Sequence, residues 1–296
     1  MKTSLDCIPC ILRQTLDAAR MVSPDPVVHE QILREVLSWT GDMDLSQSPP
    51  ELAQRIHRRL REITRQPDPY QALKERTNQA ALELLPALRA DIAASSDPLI
   101  TAARIAIAGN HIDMAIHSEI TEQDVRQAMN RAFTDPFYGE TEKFHHFVKT
   151  ARTIVYLTDN AGEIAFDRLL VEQLPRERVT LVTRGSPVIN DATLIEARAA
   201  GLDQLVRIID NGSDAPGTIL SDCRPEIRGL IDSADLVIAK GQGNFESLSS
   251  HPSNIFFLFK VKCAVAAEHI HQPVTTQVLA QSQSSPVRYE FNANRG

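Results

Sequence analysis

Over the first half of the chain, apolar residues recur at helical spacing. Ile11, Ala18, Ile32, Val36, Leu52, Ile56 and Leu60 fall at separations of four or seven within their segments, and few stretches alternate as strands do. Prolines at 24, 26, 49, 50, 67, 69, 86, 98 and 136 interrupt the pattern and set helix ends. The spacing predicts an all-helical region of about seven helices, residues 1–150. Beyond residue 151 the period changes. Short β-rich runs at 153–157, 179–183, 205–209, 236–239 and 255–259 alternate with helical segments at 163–173, 191–200 and 225–233. Apolar strands alternating with helices predict an α/β core, residues 151–276, with a Rossmann-like, mostly parallel sheet covered on both faces. Residues 277–296 are polar and aperiodic and read as a mobile tail.

Composition narrows the function classes. The chain has 296 residues, 43% hydrophobic and 23% charged, with a net charge of −7. Such an acidic chain suits neither nucleic acid nor anionic membranes. The arginines between 55 and 65 alternate with Ile56, Leu60 and Ile63 and read as the wet face of an amphipathic helix. No apolar run approaches the roughly 18 residues that a membrane span needs, and the first ten residues lack the apolar centre of a signal peptide. A cytoplasmic location is therefore expected, in which Cys7, Cys10, Cys223 and Cys263 are reduced thiols or metal ligands.

In a doubly wound sheet, ligands bind beyond the carboxyl ends of the strands. There the sequence places Asp159-Asn-Ala-Gly-Glu163, Arg184-Gly-Ser-Pro-Val-Ile-Asn-Asp191, Asp210-Asn-Gly-Ser213 and Lys240-Gly-Gln-Gly-Asn-Phe-Glu246. Carboxylate and amide oxygens suit Mg²⁺, Mn²⁺ and similar ions. Glycines admit an anion to backbone N–H groups, and Lys or Arg neutralises phosphate. Taken singly, Asp159-Asn160 or Asn190-Asp191 could equally cap the helix that follows. Their occurrence after neighbouring strands, with Lys240 on a third, favours a phosphoryl-transfer site.

These segments, together with Asp6-Cys7-Ile-Pro-Cys10, Asp68-Pro69-Tyr70 with Lys74 and Asn78, Gly109-Asn110-His-Ile-Asp113 and Lys260-Val-Lys262-Cys263, resemble the damage-control phosphatases, formerly domain of unknown function 89, in their prokaryotic, cysteine-containing branch. The resemblance runs from about residue 1 to about 275. It implies a helical N-terminal region packed on a Rossmann-like core, and a metal-dependent phosphatase that hydrolyses small phosphomonoesters such as sugar phosphates or damaged metabolites. It further implies Asp159, Asn160 and Asp191 as metal ligands, with Mg, Mn, Co or Ni as the ion, and Lys240 on the substrate phosphate. Asn110, Asp113, Glu163 and Arg184 match segments lining the family's substrate pocket. Asp159 and Lys240 are then the catalytic candidates, the nucleophile being either a water or Asp159 itself.

Cys7 and Cys10 form a C-x-x-C that Cys263 could join, either as a second metal site or as structural thiols. Two other functions compete. An S-adenosylmethionine-dependent methyltransferase wants a glycine-rich turn after the first core strand, where Asp159-Asn160 stands instead. A non-catalytic phosphometabolite-binding protein would keep Lys240 and the glycines but has no need of three hard metal ligands. The expected partner is a small phosphorylated metabolite, with neither nucleic acid nor membrane, and the sequence carries no signal of oligomeric state.

Overall fold

The computed structural model describes residues 1–109 and 133–283. Helices α1 (Cys7–Val22), α2 (Pro26–Gly41), α3 (Pro49–Thr64), α4 (Gln71–Ala94) and α5 (Pro98–Ala108) come first. Strand β1 (Phe137–Gly139) and helix α6 (Thr141–Thr150) lead into the alternating part. This consists of β2 (Ile154–Leu157), α7 (Glu163–Val171), β3 (Val179–Thr183), α8 (Leu194–Ala199), β4 (Arg207–Asp210) and α9 (Pro225–Ser233). It closes with β5 (Leu236–Lys240), α10 (Gly241–Leu248), β6 (Ile255–Lys260), α11 (Ala264–Ile270) and β7 (Gln277–Gln281).

Among the described residues the strands form one sheet in the order β1-β7-β6-β5-β2-β3-β4. Every pairing is parallel except β6 with β7. From β2 the chain winds outward through β3 and β4, then returns to place β5 on the other side of β2. The switch point therefore lies between β2 and β5, where a doubly wound sheet opens a crevice.

Strand residues alternate between two cores. Ile154, Tyr156, Ile238, Phe256 and Leu258 face one, and Val155, Leu157, Val237, Ala239 and Phe257 face the other. The first core is covered by α4, α5, α6, α7 and α8, with Phe144 and Phe256 in ring contact at 5.3 Å. The second is covered by α9, α10 and α11. Helices α1, α2 and α3 bury a third core of their own around Ile32, Ile56 and Leu60. Helix α5 is buried from Ile105 through Ala108, which explains its nearly unbroken apolar sequence.

Several expectations change. The division near residue 150 does not part the cores, because α4, α5 and α6 share one with the sheet and β1 joins its edge. The segment from 277, expected as tail, begins with the fully buried strand β7 paired to β6. Gln281 finds a partner inside the fold, donating to Asn254 Oδ1 at 2.8 Å. Residues 284–296 lie outside the described residues. Pro26, Pro49 and Pro98 open helices at the first position, where a missing N–H costs nothing. Pro86, by contrast, sits inside α4, held there by Leu84, Leu85, Leu88 and Ile92 in the core. The Arg-rich helix is less solvated than expected: Arg58 and Arg61 pair with Asp214 beyond β4, and Arg59 pairs with Glu35 at 2.6 Å. No helix among the described residues is long and apolar enough to cross a membrane.

Helix α3 buries His57 edge-on to Tyr70, ring centroids 6.0 Å apart. Burial, helped by Arg61 and opposed by Asp214, lowers the imidazole pKa from 6.5 to about 4. The unfolded chain therefore takes up a proton between these values that the folded chain refuses. Stability contributed by neutral His57 is complete above pH 6.5 and is lost as pH falls toward 4. Between pH 7 and pH 5 the loss is expected to be roughly 2 kcal/mol. Urea denaturation of the His57→Gln variant should show that increment gone; an unchanged pH slope would contradict the assignment.

Candidate functional site

The carboxyl ends of β2, β3 and β5 meet at the switch point. After β2 the chain makes an irregular turn, Thr158 to Gly162, and after β3 a longer excursion from Arg184 to Thr193. These two segments are stitched together by their own backbones. Ala192 N–H donates to Asp159 O at 2.8 Å, Ala161 N–H donates to Asn190 O at 2.8 Å, and Asn160 and Asp191 form an isolated antiparallel bridge. Asp159, Asn160 and Asp191, far apart in sequence, are thereby brought to one place, each nearly buried.

The helix-capping alternative does not hold. The residue preceding α7 is Gly162, without a side-chain cap, and α8 is capped by Thr193, which exchanges hydrogen bonds with Glu196 in a capping box. α8 thus begins at Leu194, later than the expected start near 191. Asp159, Asn160 and Asp191 are left for other work.

Their charge is handled by buried cations. Arg184, 1% exposed, bonds Asp191 Oδ2 through Nε at 2.6 Å and Asn244 Oδ1 through Nη1 at 3.3 Å. Its Nη2 stands 3.8 Å from Asp159 Oδ1 and makes no hydrogen bond among the described residues. Asn244 is fixed by its Nδ2, which donates to Thr158 O and Lys240 O. The Asn160 amide donates to Asp159 Oδ2 at 2.9 Å and to Glu163 Oε2 at 3.3 Å. Burial, followed by Glu163 and Asp191, holds the Asp159 carboxyl well above its usual pKa, against the pull of Arg184 and Lys262.

Beneath this rim lies Lys240, fully buried. Its Nζ donates to Glu163 Oε1 at 2.6 Å, Asp167 Oδ1 at 2.6 Å and Ala106 O at 2.9 Å. An ammonium has three N–H bonds, and all three are committed. The expectation that Lys240 meets the substrate phosphate directly is therefore revised: in this arrangement it neutralises carboxylates behind the rim. Burial disfavours its charge, but Asp167 and Glu163 outweigh that and raise its pKa. Tyr156 Oη completes the set by donating to Asp167 Oδ1 at 2.8 Å.

Asp167 and Tyr156 escaped the reading of the sequence. The signal was present: Glu163 and Asp167 are acidic residues four apart on a largely apolar helix, hence on one face. Lys262, exposed and near enough to lower the Asp159 pKa, was noticed only as part of a motif. Gly241 has a structural reason of its own. It holds φ at +80°, and a Cβ there would overlap the Asp159 carboxylate.

Asn110 and Asp113 lie outside the described residues. Cys7 and Cys10 occupy the first turn of α1, and Cys263 precedes α11, where its Sγ accepts from Ala266 N–H at 3.4 Å and Gln242 Nε2 at 3.5 Å. All are free thiols. Burial raises the pKa of Cys7 and of Cys10, with Glu246 and Cys263 adding to it and Ser4 opposing it at Cys7. Among the described residues no group of three or more His, Cys, Asp and Glu side chains stands ready to hold a metal. An ion on the rim would rest on the Asp159 and Asp191 carboxylates with the Asn160 amide, an all-oxygen set that suits Mg²⁺ or Mn²⁺.

The family model described as the damage-control phosphatase ARMT1-like domain matches residues 3–278. A damage-control phosphatase of Archaeoglobus fulgidus is 36% identical over 278 residues, covering 91% of this chain and 96% of the relative. A damage-control phosphatase of Pyrococcus horikoshii is 28% identical, with 92% and 96% covered. Among solved structures, a DUF89 family protein from Pyrococcus horikoshii superposes with a TM-score of 0.85 at 27% identity, over 96% of this chain and all of the other.

Removal of Lys240 separates its two roles. Lys240→Met would leave Glu163 and Asp167 buried without their cation and should cost about 3–5 kcal/mol of stability, read as a lowered urea midpoint. A surface-facing phosphate ligand would leave the midpoint unchanged.

Proposed function

The chain belongs to the damage-control phosphatase ARMT1-like family, and on that premise we propose that it is a metal-dependent phosphatase acting on small phosphomonoesters. Sugar phosphates and related damaged metabolites are the substrate class, and the cytoplasm is the working compartment. What carries the reading is the convergence of Asp159, Asn160 and Asp191 with the Nη2 of Arg184 at the switch point of the sheet.

In this reading Asp159, Asn160 and Asp191 would hold one Mg²⁺, Mn²⁺, Co²⁺ or Ni²⁺ ion. The donor set fits: two carboxylates and an amide that can turn its oxygen inward. When bound, such an ion supplies Lewis-acid neutralisation of phosphoryl charge. The protein's own groups do the rest. Arg184 stays oriented by Asp191 and Asn244 while its Nη2 offers an N–H to a phosphate oxygen. Lys262, at the exposed edge, adds positive potential toward the incoming anion. Lys240 holds Glu163 and Asp167 in place through its hydrogen bonds, so that Asn160, hydrogen-bonded to Glu163, is held in place as well. Low exposure of Arg184, Lys240 and the carboxylates keeps water from screening them. Asp159 and Lys240 thus stay in the catalytic unit with different tasks, one on the rim and one behind it.

The test is turnover of an aryl phosphate with each divalent ion in turn, followed by a phosphometabolite panel. Metal-dependent hydrolysis is expected, and Asp191→Asn should lower kcat/KM by a factor of roughly 100 or more with its circular dichroism unchanged. Binding of phosphometabolites without turnover would support a sensor instead, and full activity of the Asp191 variant would refute the ligand assignment.

A further inference from the structure

Helix α4 belongs to the N-terminal half of the chain, yet one of its side chains reaches both acid-bearing segments. Asn78 is 4% exposed. Its Oδ1 accepts from Gly162 N–H at 2.6 Å, three residues past Asp159. Its Nδ2 donates to Glu196 O at 3.3 Å, in the first turn of α8 and five residues past Asp191. One turn earlier on the same face, Lys74 Nζ pairs with Glu196 Oε1 at 3.1 Å and Asp68 Oδ2 at 2.6 Å. Glu196 Oε2 in turn accepts from Thr193 N–H at 2.8 Å and Thr193 Oγ1 at 2.6 Å. The backbone of α4 also touches the first segment. Gly162 holds φ at +78°, and a Cβ there would stand 3.1 Å from Thr77 Cβ and 3.3 Å from Thr77 O.

We propose that Asn78 is a positioning residue that sets the spacing between the Asp159–Gly162 turn and the Asp191–Glu196 segment, so that the two carboxylates and the Asn160 amide converge on one cation. It touches neither the ion nor the substrate and acts through Gly162 N–H and Glu196 O. Both of its hydrogen-bonding functions are spent on this bridge, which no apolar residue of similar size can make. The proposal rests on the metal-dependent reading of the site.

The experiment uses the full chain, stripped of metal, and the Asn78→Ala variant. Mn²⁺ binding is measured by titration calorimetry, and amide hydrogen exchange is followed at Gly162 and Ala192. A lost hydrogen bond of ordinary strength implies about tenfold weaker Mn²⁺ binding and about tenfold faster exchange at Gly162. Turnover of an aryl phosphate should recover at saturating Mn²⁺, a split that general loss of folded protein does not produce. Wild-type chain that binds Mn²⁺ with a variant of equal affinity overturns the positioning role. Wild-type chain that takes up no Mn²⁺ overturns the metal reading and the cation role of Asn78 with it; unchanged exchange at Gly162 then also ends its role in spacing the two segments, whereas faster exchange there keeps the spacing role alone. Should Asn78→Ala fail to fold, Asn78→Ser, whose hydroxyl cannot span both partners, is read in the same way.

Discussion

Negative charge buried at the end of a parallel sheet is the constraint around which the structure is arranged. Asp159, Glu163, Asp167 and Asp191 are all nearly inaccessible, and a carboxylate out of water is tolerated only when paired and hydrogen-bonded. Two buried cations divide the task. Lys240 holds Glu163 and Asp167 from below, and Arg184 holds Asp191 from the side. Asp159 accepts from the Asn160 amide and stands 3.8 Å from the Arg184 guanidinium. Its raised pKa follows from burial beside two other acids.

The fold delivers this charge where the chemistry needs it. Because β2 and β5 are neighbours while the chain winds away from each in opposite directions, the segments after them diverge and leave a crevice. Close approach is secured by small residues. Gly241 leaves room for the Asp159 carboxylate, and Gly162 allows the turn after β2 to lie against α4. The helical half of the chain is consequently part of the site's support. Its α4 and α5 share a core with the sheet, and Ala106 O accepts one of the three hydrogen bonds of Lys240.

Much of this could be read before the structure. The period change near 151 located the sheet, and the residues just past 157, 183 and 240 proved to be those gathered at the switch point. Strands of four to six residues buried on both faces leave a plain apolar signature. What stayed hidden has identifiable causes. Lys240 looked like a phosphate ligand because a sequence does not tell which carboxylates a lysine faces, and its partners lie on a helix more than seventy residues earlier. Strand β7 was masked by its glutamines, which are buried there, Gln281 donating to Asn254 Oδ1. Pro86 was taken for a helix end because local propensity was weighed without the core that holds α4 together. Thr193 was overlooked as the cap of α8 because Asn190-Asp191 offered an equally good capping signal just upstream.

The most direct measurement is anomalous diffraction from crystals of the full chain soaked in Mn²⁺. The expected result is a single strong peak bounded by the side chains of Asp159, Asn160 and Asp191, with Lys240 still bonded to Glu163 and Asp167. A peak at the cysteines alone, or none on the rim at saturating Mn²⁺, would contradict the assignment of this cluster as the metal site.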